Sequence, residues 1–468
     1  MKFKKFGKAL LLSALSAGVI LSVTSCSQSY TVGYLYVTGT VTAQSSGSGI
    51  ISGFRIDHNT GKLTNINGLP VSSGGANPVR AVLLTGSRFL YVLNRGVNSS
   101  GGTDCTSLDP CKNANITQFA IGANGILTSQ ETFYTEGVNP FRMIADSSGS
   151  FIYVLDHDSP AASSTSSAPV AAISNANCAA ALTGATTCGD ITAFSVNSTT
   201  GRLSLLVNTQ VTTAGGSSTP LPYFPVPSNP VDFVMSSGTV LTMSGTQTTV
   251  DTTTGAYTGG STVFPYTYNS SNGQLTVNSN SAQPLNIKRG TALVTGSSYV
   301  FVLDNEAPAG NTTGATSQIL TYTVGSAGAL LSVTNGIIAD DANQSNPTWL
   351  AVESKAKWFY VANQGNNTTG TGTAESGLAG YVLNSPYQPT EMSGTPIGFG
   401  AGAGPQCLVE DPSNQFFYTA NFYSSTVTGQ AIDENSGLLH PLSEVSKAPD
   451  SYALTGQPTW CLVDGRTN

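Results

Sequence analysis

The chain has 468 residues, of which 18 are basic and 25 acidic, so its formal net charge is −7. Charged residues make up only 9% of the chain and hydrophobic residues 39%, which is a globular composition and excludes a disordered protein. Gly, Ser, Thr and Asn fill the polar positions, as is typical of strands and turns rather than helices. The negative balance argues against a nucleic-acid partner.

The first residues have the parts of a secretory signal. The start, Met1 to Lys5, is basic, the run from Ala9 to Val23 is apolar, and small residues precede Cys26. The apolar run has about 15 residues, whereas a transmembrane helix needs roughly 20, so we expect no permanent membrane span. We predict a signal peptide at 1–25 and a single mature domain at 26–468.

The tetrapeptide Val23 to Cys26 resembles a bacterial lipobox, in which the cysteine is acylated and becomes the first mature residue. The resemblance implies an exported lipoprotein anchored through Cys26. Ser27 follows that cysteine, and a serine at this position resembles the sorting signal of outer-membrane lipoproteins, which face the periplasm or the cell surface. The alternative is a plain signal peptide that ends near a cysteine. Cleavage would remove four lysines and no acids, leaving 14 basic and 25 acidic residues and a net charge of −11.

A pattern of four short strands repeats through the rest of the chain. In one copy, Asn77 to Leu84 is an apolar strand, and Phe89 to Asn94 is a second one that ends in Tyr-Val-x-Asn. Ile116 to Ile121 then alternate with period two, and Leu127 opens a fourth strand after a glycine turn. Each unit is therefore predicted to be a four-stranded antiparallel sheet.

The anchor residue of the second strand recurs seven times, at Tyr36, Tyr91, Tyr153, Leu241, Phe301, Tyr360 and Tyr418. The pattern begins at a second strand, Tyr34 to Val37, and ends at a first strand, Pro458 to Val463, so each end supplies what the other lacks. A ring closed in this way leaves only short, protected edges. The predicted fold is all-β: a seven-bladed β-propeller of four-stranded antiparallel blades, closed by pairing the N- and C-terminal strands in one blade.

Six of the seven cysteines remain after Cys26 is set aside, and an oxidising compartment favours their pairing. Two pairs share a loop each, and the last two cysteines lie in neighbouring repeats. We expect disulfides Cys105–Cys111 and Cys178–Cys188, with Cys407–Cys461 as the remaining combination. No second Cys or His pair stands at zinc-finger spacing, so no metal site is predicted.

Two sets of positions are expected to meet at one mouth of the propeller channel, because the first strand starts at the face where the second strand ends. The first set lies two residues after the repeat's proline: Arg80, Arg142, Asp232, Gly290, Trp349, Cys407 and Trp460. Gly290 is placed by the following strand, since its unit has Lys288 instead of proline. The second set closes the second strand: Gly39, Asn94, Asp156, Ser244, Asp304, Asn363 and Asn421.

The candidate catalytic residues are the charged members of these sets: Arg80, Arg142, Asp156, Asp232 and Asp304. The candidate ligand-binding residues are the polar and aromatic ones with their neighbours: Asn94, His157, Arg289, Trp349, Asn363, Asn421 and Trp460. Long connections from second to third strands, such as Asp158 to Gly189, lie on the same face and are expected to wall the mouth. Alternatively, these loops are flexible decoration.

Each candidate also has a structural interpretation. An Asn or Asp that closes a strand often caps the turn through its own side chain. Arg80 and Arg142 can simply pair with Asp156 or Asp232, and the two tryptophans can pack the channel. The segment Asp156 to Asp158 suits a metal ligand or a base, or else a solvated loop.

The segment Asn346 to Val352, followed by Trp358 to Asn363 and by Gly-x-Leu turns after the third strands, resembles the lactonase family of seven-bladed propellers. This family is of the 6-phosphogluconolactonase type, and the resemblance covers nearly the whole mature chain. It implies the propeller fold and, as an activity, lactone hydrolysis. Family members often have His in a Pro-Thr-His stretch where this chain has Trp349 and Trp460.

Lactone opening needs a group that activates water and groups that stabilise the oxyanion. Arg80, Arg142 and Arg289 would supply positive charge, and Asp156, Asp232 or Asp304 a base. Neither set contains a histidine, and arginines lower the pKa of a neighbouring carboxylate, which makes it a weaker base at neutral pH. A phosphorylated cytosolic lactone is not an expected substrate of an exported protein.

The leading hypothesis is an envelope lipoprotein that binds a small polar ligand, a glycan or a protein at the channel mouth. It needs no cofactor, has no nucleic-acid partner and meets the membrane only through its lipid anchor. The alternative is a hydrolase acting on a lactone or related ester. A third possibility is a scaffold in a larger envelope assembly. No Gly-rich phosphate loop, Gly-x-Ser-x-Gly elbow or His-Glu-x-x-His helix is present in the sequence.

Overall fold

The computed structural model describes most of the chain after residue 29. The described ranges are 30–41, 48–84, 88–106, 109–160, 177–178, 182, 187–209, 211, 220–245, 249–250, 257–258, 260–278, 283–284, 287–308, 310–365, 376–384, 387, 389–395, 397–398 and 403–465. The predicted signal peptide, 1–25, and Cys26 lie outside these residues. Inside them, no helix has the length and apolar character that a membrane crossing requires.

Short strands dominate the described residues and form seven antiparallel sheets, the blades, together with one separate two-stranded hairpin. The strands of blade 1 from the N-terminal side are β1 (Thr31–Thr40), β2 (Ser48–Asp57), β3 (Leu63–Asn65) and β4 (Val71–Ala76). Blade 2 contains β5 (Pro78–Leu83), β6 (Phe89–Asn94), β7 (Asn115–Ile121) and β8 (Leu127–Phe133), with a 3₁₀ turn at Ala123–Gly125. Blade 3 contains β9 (Val138–Ala145), β10 (Phe151–Asp158), β11 (Gly189–Val196), β12 (Leu203–Leu205) and β13 (Phe224–Val226).

Blade 4 carries an extra hairpin between its second and third strands. Its strands are β14 (Pro230–Ser236), β15 (Thr239–Gly245), the hairpin β16 (Thr249–Val250) and β17 (Tyr257–Thr258), then β18 (Ser261–Tyr268), β19 (Leu275–Val277) and β20 (Gln283–Pro284). Blade 5 contains β21 (Gly290–Gly296), β22 (Tyr299–Asp304), β23 (Gln318–Val324) and β24 (Leu330–Ala339), with a 3₁₀ turn at Ser326–Gly328.

Blades 6 and 7 complete the ring, and the last strand returns to blade 1. Blade 6 contains β25 (Pro347–Val352), β26 (Trp358–Asn363), β27 (Gly377–Val382), β28 (Thr390–Glu391) and β29 (Ile397–Gly398). Blade 7 contains β30 (Pro405–Glu410), β31 (Phe416–Asn421), β32 (Thr426–Ile432), β33 (Leu439–Pro441), the short helix α1 (Leu442–Val445) and β34 (Ser451–Ala453). The chain then enters β35 (Gln457–Asp464).

The first strands line a central channel. Each of them contacts the first strands of the two neighbouring blades, and β35 contacts both β30 and β5, so the series closes on itself. Strand β35 is also the first strand of blade 1, where it pairs antiparallel with β1 and sets Val37 opposite Cys461. The predicted seven-bladed propeller, closed by its terminal strands, is confirmed.

All three expected disulfides are present, Cys105–Cys111, Cys178–Cys188 and Cys407–Cys461. The first two close loops on the face where the second strands end. The third joins the first strand of blade 7 to β35, so it covalently links the closing blade to its neighbour. Disulfides persist in oxidising compartments, and these three therefore indicate an extracytoplasmic location.

The core lies between the blades, and the anchor residues of the second strands fill it. Tyr91, Tyr153, Leu241 and Phe301 are fully buried. Where the anchor is tyrosine, its hydroxyl donates to the carbonyl of the glycine turn in the next blade. The five bonds are Tyr36 to Gly125 at 2.7 Å, Tyr91 to Gly201 at 2.5 Å, Tyr153 to Gly273 at 2.7 Å, Tyr360 to Gly437 at 2.5 Å and Tyr418 to Gly61 at 2.7 Å.

These turns need glycine for two reasons. Gly61 has φ +66°, a left-handed conformation that other residues adopt at a cost. A Cβ atom at Gly61 would also lie 2.6 Å from the Phe416 ring of blade 7. The Gly-x-Leu turns of the sequence are therefore contact points between blades, because the glycine lets the turn approach its neighbour's second strand.

The strand register corrects one predicted position. Gly290 pairs with Asp304 just as Pro78 pairs with Asn94, and the residue that corresponds to Arg80 is Ala292. The prediction that Gly290 belongs to the first set is therefore wrong. The unit lacks its proline, and Gly290 itself takes the proline's place at the start of β21.

Candidate functional site

Large side chains two residues after the repeat's proline meet across the channel axis. The Arg80 guanidinium lies 3.6 Å from the ring centroid of Trp460 and 5.0 Å from that of Trp349. The two indoles pack edge to face, with centroids 4.6 Å apart. These residues belong to blades 2, 1 and 6, so together they span the channel. We call Arg80, Arg142, Asp232, Trp349 and Trp460 the central plug.

One buried carboxylate serves both arginines of the central plug. Asp232 is 1% exposed, and its Oδ1 lies 3.2 Å from Arg142 Nε and 3.7 Å from Arg80 Nη2. Its Oδ2 accepts the backbone N–H of Leu293 in blade 5 at 2.9 Å. Two guanidiniums against one carboxylate leave the plug with one net positive charge.

Burial lowers the pKa of Arg80, but not enough to deprotonate its side chain at neutral pH. Desolvation, and then the charge of Arg142, lower the pKa of Arg80 to about 9, while Asp232 acts in the opposite direction. Arg80 therefore stays protonated at neutral pH. Its charge lies in a site of low dielectric, where electrostatic interactions are stronger than in water. An anion that reaches the plug would complete the charge balance.

A cavity of about 660 Å³ lies directly against the central plug. Arg80, Asp232, Trp349 and Trp460 line one end of it, and Asp146 and Glu410 line the other. Its wall is mainly apolar: Val82, Ile144, Val234, Val294, Ala351, Val409 and Leu462. The cavity thus extends from the plug towards the turns that join first and second strands, away from the long loops.

This position differs from the expected one. A ligand mouth was predicted on the looped face, at the start of the first strands. The 660 Å³ cavity lies behind the central plug, where two tryptophans and an arginine meet across the axis, and much of the loops that would wall the predicted mouth lies outside the described residues. Sequence position gives the level of a side chain along the channel, but not which neighbours it meets there.

Glu410 is a feature that sequence reasoning missed. It ends β30 and is half-buried, and its Oε2 accepts the backbone N–H of Ser354 at 2.8 Å. Burial, followed by the charges of Glu353 and Asp411, raises the pKa of Glu410 to about 7, although the Ser354 hydrogen bonds oppose the shift. The sequence did hold a signal, since the corresponding positions in the other units are uncharged: Leu83, Ala145, Met235, Thr295, Val352 and Val463.

Residues that close the second strands do not line the central cavity. Asn94 is fully buried; it donates to the backbone carbonyl of Ser73 at 3.0 Å and accepts from the Ser73 hydroxyl at 2.5 Å. Asp304 accepts the backbone N–H groups of Lys288 and Arg289 at 2.8 and 2.7 Å. Both residues therefore hold the connection that enters the first strand, which is the capping role described among the alternatives. Asn363 is also buried, and Asn421 borders a separate cavity.

Asp156 is separated from the central plug and pairs with another acid. It stands opposite Asp190 in the β10–β11 ladder, and both are fully buried. The Thr192 hydroxyl lies 3.2 Å from Asp156 Oδ2 and 3.3 Å from Asp190 Oδ2. Burial raises the pKa of both carboxyls well above the usual range, and neighbouring acids add to the effect. Of the two acids considered as partners of the arginines, Asp232 is the one that contacts them.

Comparison with known proteins connects this architecture to a family. The model of the family "Lactonase, 7-bladed beta-propeller" matches residues 47–169 and 307–451, together more than half of the chain. The chain belongs to this lactonase family. None of the curated proteins has a sequence that matches it significantly.

Solved lactonase-type propellers share the fold. A putative 6-phosphogluconolactonase from Bacteroides fragilis is 14% identical with a TM-score of 0.58, over 92% of this chain and 98% of that one. One from Bacteroides uniformis is 14% identical with a TM-score of 0.58, over 92% and 100%. The periplasmic gluconolactonase of Pseudomonas aeruginosa is 16% identical with a TM-score of 0.58, over 92% and 99%. At such identities the likeness shows the fold alone.

The remaining candidates of this lactonase-family chain lie near the loops. His157 Nδ1 is 3.3 Å from Asp158 Oδ2, and Asp158 also accepts from Asn139 Nδ2 at 2.9 Å. Arg289 contacts Asp304 through its backbone N–H. Within the described ranges, no three His, Cys, Asp or Glu side chains are grouped as a metal site would require.

Proposed function

We propose that this lactonase-family propeller binds a small anionic, hydroxylated molecule of the sugar-acid class in its central cavity. One observation carries the proposal: Arg80, which shares the Asp232 carboxylate with Arg142, lies at the end of a 660 Å³ cavity and is flanked by two indoles. The uncompensated charge favours a carboxylate ligand, and the indoles suit the C–H face of a sugar. The volume lies in the roughly 300–1,000 Å³ range of small-molecule sites, which favours such a ligand over a glycan chain or a protein.

Intrinsic fluorescence tests the proposal, because two of the three tryptophans belong to the plug. Titration with sodium gluconate should change the emission of the wild type in a saturable way. Arg142→Gln removes the excess charge while Arg80 still pairs Asp232, so binding should weaken about tenfold or more, the typical loss for a charged partner. The matched control is Arg202→Gln, since that side chain is 67% exposed and pairs with Glu131, away from the plug. Equal affinity in both variants would rule out the plug as the anion site.

A second candidate, hydrolysis of a lactone, is favoured by Glu410. A carboxyl group with a pKa of about 7 is suited to act as a general base at neutral pH, and Arg80 would face the developing oxyanion. However, three residues separate Glu410 from the level of the plug along β30, which is about 10 Å of strand. Since each catalytic group must reach within roughly 3 Å of the reacting atoms, binding ranks above turnover.

Turnover of glucono-1,5-lactone above its spontaneous rate would support the second candidate. Activity should then increase as pH rises through about 7, where Glu410 loses its proton. Glu410→Gln should abolish this activity while the fluorescence response to gluconate persists, and the exposed Glu444→Gln should leave both intact. Lactonase activity unchanged in Glu410→Gln would refute the assigned base.

We also propose that the mature protein is an envelope lipoprotein anchored through Cys26. The disulfides support export, and the lipobox resemblance supports the anchor. Radioactive palmitate should label the wild type expressed in a bacterial host with lipoprotein processing, and Cys26→Ser should remain unlabelled. Labelling of both would exclude Cys26 as the attachment site.

A further inference from the structure

A second cavity, of about 330 Å³, lies away from the channel between blades 6 and 7. Its lining includes Thr428 and Gln430 of β32 and Ile397 of β29. Gln430 stands opposite Phe417 in the β31–β32 ladder, and Phe417 packs against Tyr360 of blade 6 with ring centroids 4.9 Å apart. The face of β32 that carries Gln430 therefore faces blade 6, and the cavity is a cleft between two blades.

Polar groups are concentrated on this face. Thr426, Thr428 and Gln430 alternate along β32, so they share one side of the strand. Asn421 Nδ2 donates to the hydroxyls of Thr426 and Thr428, at 3.2 and 2.7 Å. Asn421 and Gln430 are 1% and 3% exposed, yet Asn421 Oδ1 and Gln430 Oε1 accept no hydrogen bond within the described part of the chain. A buried acceptor without a donor is unfavourable, and a ligand hydroxyl would satisfy it.

Comparison with blade 2 shows what is special about blade 7. Asn94 occupies the same position as Asn421, and its Nδ2 lies 3.3 Å from the hydroxyl of Thr117, the counterpart of Thr428. In blade 2, however, the Oδ1 of Asn94 accepts from the Ser73 hydroxyl. The same amide oxygen in blade 7 accepts no hydrogen bond within the described residues.

We propose that the cleft between blades 6 and 7 is a binding site for a neutral sugar of one ring. Its lining has no lysine or arginine within the described residues, which disfavours anions. Asp450 is the one carboxylate there, and its two oxygens already accept from the Ser443 N–H and hydroxyl, both at 2.7 Å. The two acceptors without a donor suit sugar hydroxyls, and Ile397, Ala403 and Pro441 give an apolar wall for a C–H face. This site is separate from the proposed function of the channel.

The probes are the methyl α-glycosides of glucose, galactose and mannose. Saturation-transfer difference NMR and calorimetric titration should detect saturable binding of at least one of them. Thermal stabilisation is not a suitable readout, because sugars stabilise proteins generally by exclusion from the surface. Binding should be unaffected by saturating gluconate, which separates this site from the channel.

Substitutions in β32 locate the site. Thr428→Val and Gln430→Met should each weaken binding about tenfold, because each removes a polar group of the cleft. Thr428→Met should abolish binding by filling the space. The matched control, Thr117→Val, makes the same change at the same position of blade 2 and should leave affinity unaltered. Circular dichroism checks folding, and if Thr428→Met does not fold, the comparison of Thr428→Val with Thr117→Val decides. Absence of saturable binding by the wild type, or equal affinity in this pair, would overturn the proposal.

Discussion

The hydroxyl of Tyr418 offers a direct measure of how strongly the ring is closed. It donates to the Gly61 carbonyl at 2.7 Å, and so joins the last blade to the first across 357 residues. Tyr418→Phe keeps the ring packed in the core and removes only this donor. Burial, followed by the charge of Asp411, raises the pKa of Tyr418, so the phenol remains a neutral donor even in alkaline solution.

The expected cost follows from the state of the acceptor. Phenylalanine has no donor in place of the hydroxyl, so the buried Gly61 carbonyl loses its hydrogen bond. Leaving a buried acceptor unpaired lowers the free energy of unfolding by about 1–3 kcal/mol. Unfolding entropy is roughly 2.1 cal/mol/K per residue, which amounts to about 1 kcal/mol/K for a chain of this length. The midpoint of thermal unfolding should therefore fall by only about 1–3 °C. Urea titration of the same variant is the more sensitive assay.

Controls for this variant exist in the chain itself. Tyr91→Phe removes the equivalent bond between blades 2 and 3, so its cost should be similar. Tyr134→Phe alters a side chain that is 66% exposed and should change stability little. A Tyr418→Phe protein as stable as the Tyr134→Phe protein would refute the assignment of closure strength to this hydrogen bond.

Two further predictions concern the disulfide across the closure and the buried acid pair. Cys407→Ser combined with Cys461→Ser removes the covalent link between blades 7 and 1. The free energy of unfolding, measured by urea titration, should fall by about 2–4 kcal/mol. An unchanged midpoint would show that strand pairing alone closes the ring. Asp156→Asn should stabilise the protein at pH 7–8 and flatten the dependence of its stability on pH. A carboxyl whose pKa is raised on folding destabilises the folded protein increasingly as pH rises above its unfolded pKa of about 4, and asparagine has no such proton to lose. A profile of wild-type slope in the variant would contradict a proton held at this pair.

The fold was predictable from the sequence because each blade repeats its own local signals. Anchors such as Tyr153 and Tyr360 recur at the second strand, and the chain ends at complementary points of the pattern. The long insertion of blade 3 and the missing proline of blade 5 did not obscure the count. Only the register at Gly290 required the structure, since a glycine replaced the residue by which the other units are aligned.

The site was less predictable, for a physical reason. Sequence places Arg80, Asp232, Trp349 and Trp460 at one level of the channel, and the structure does bring them together. Which acid an arginine selects depends on the orientation of side chains across the axis, and Asp156 turns into its own blade instead. Glu410 was missed because its importance comes from burial and from Glu353, an acid that is distant in sequence.

The central plug also explains how one propeller scaffold can change its chemistry while retaining its fold. Each blade contributes one residue at the level of Arg80. The side chains of Arg80, Trp349 and Trp460 contact one another and take no part in the backbone pairing of strands that holds the ring together. Trp349 and Trp460 fill the axis, and the two arginines, which share the single carboxylate of Asp232, keep one net positive charge. A smaller residue at either tryptophan position would open the cavity towards the looped face, so the same strands would present a channel with two entrances. We therefore expect the two tryptophan positions to determine whether the cavity opens towards the looped face.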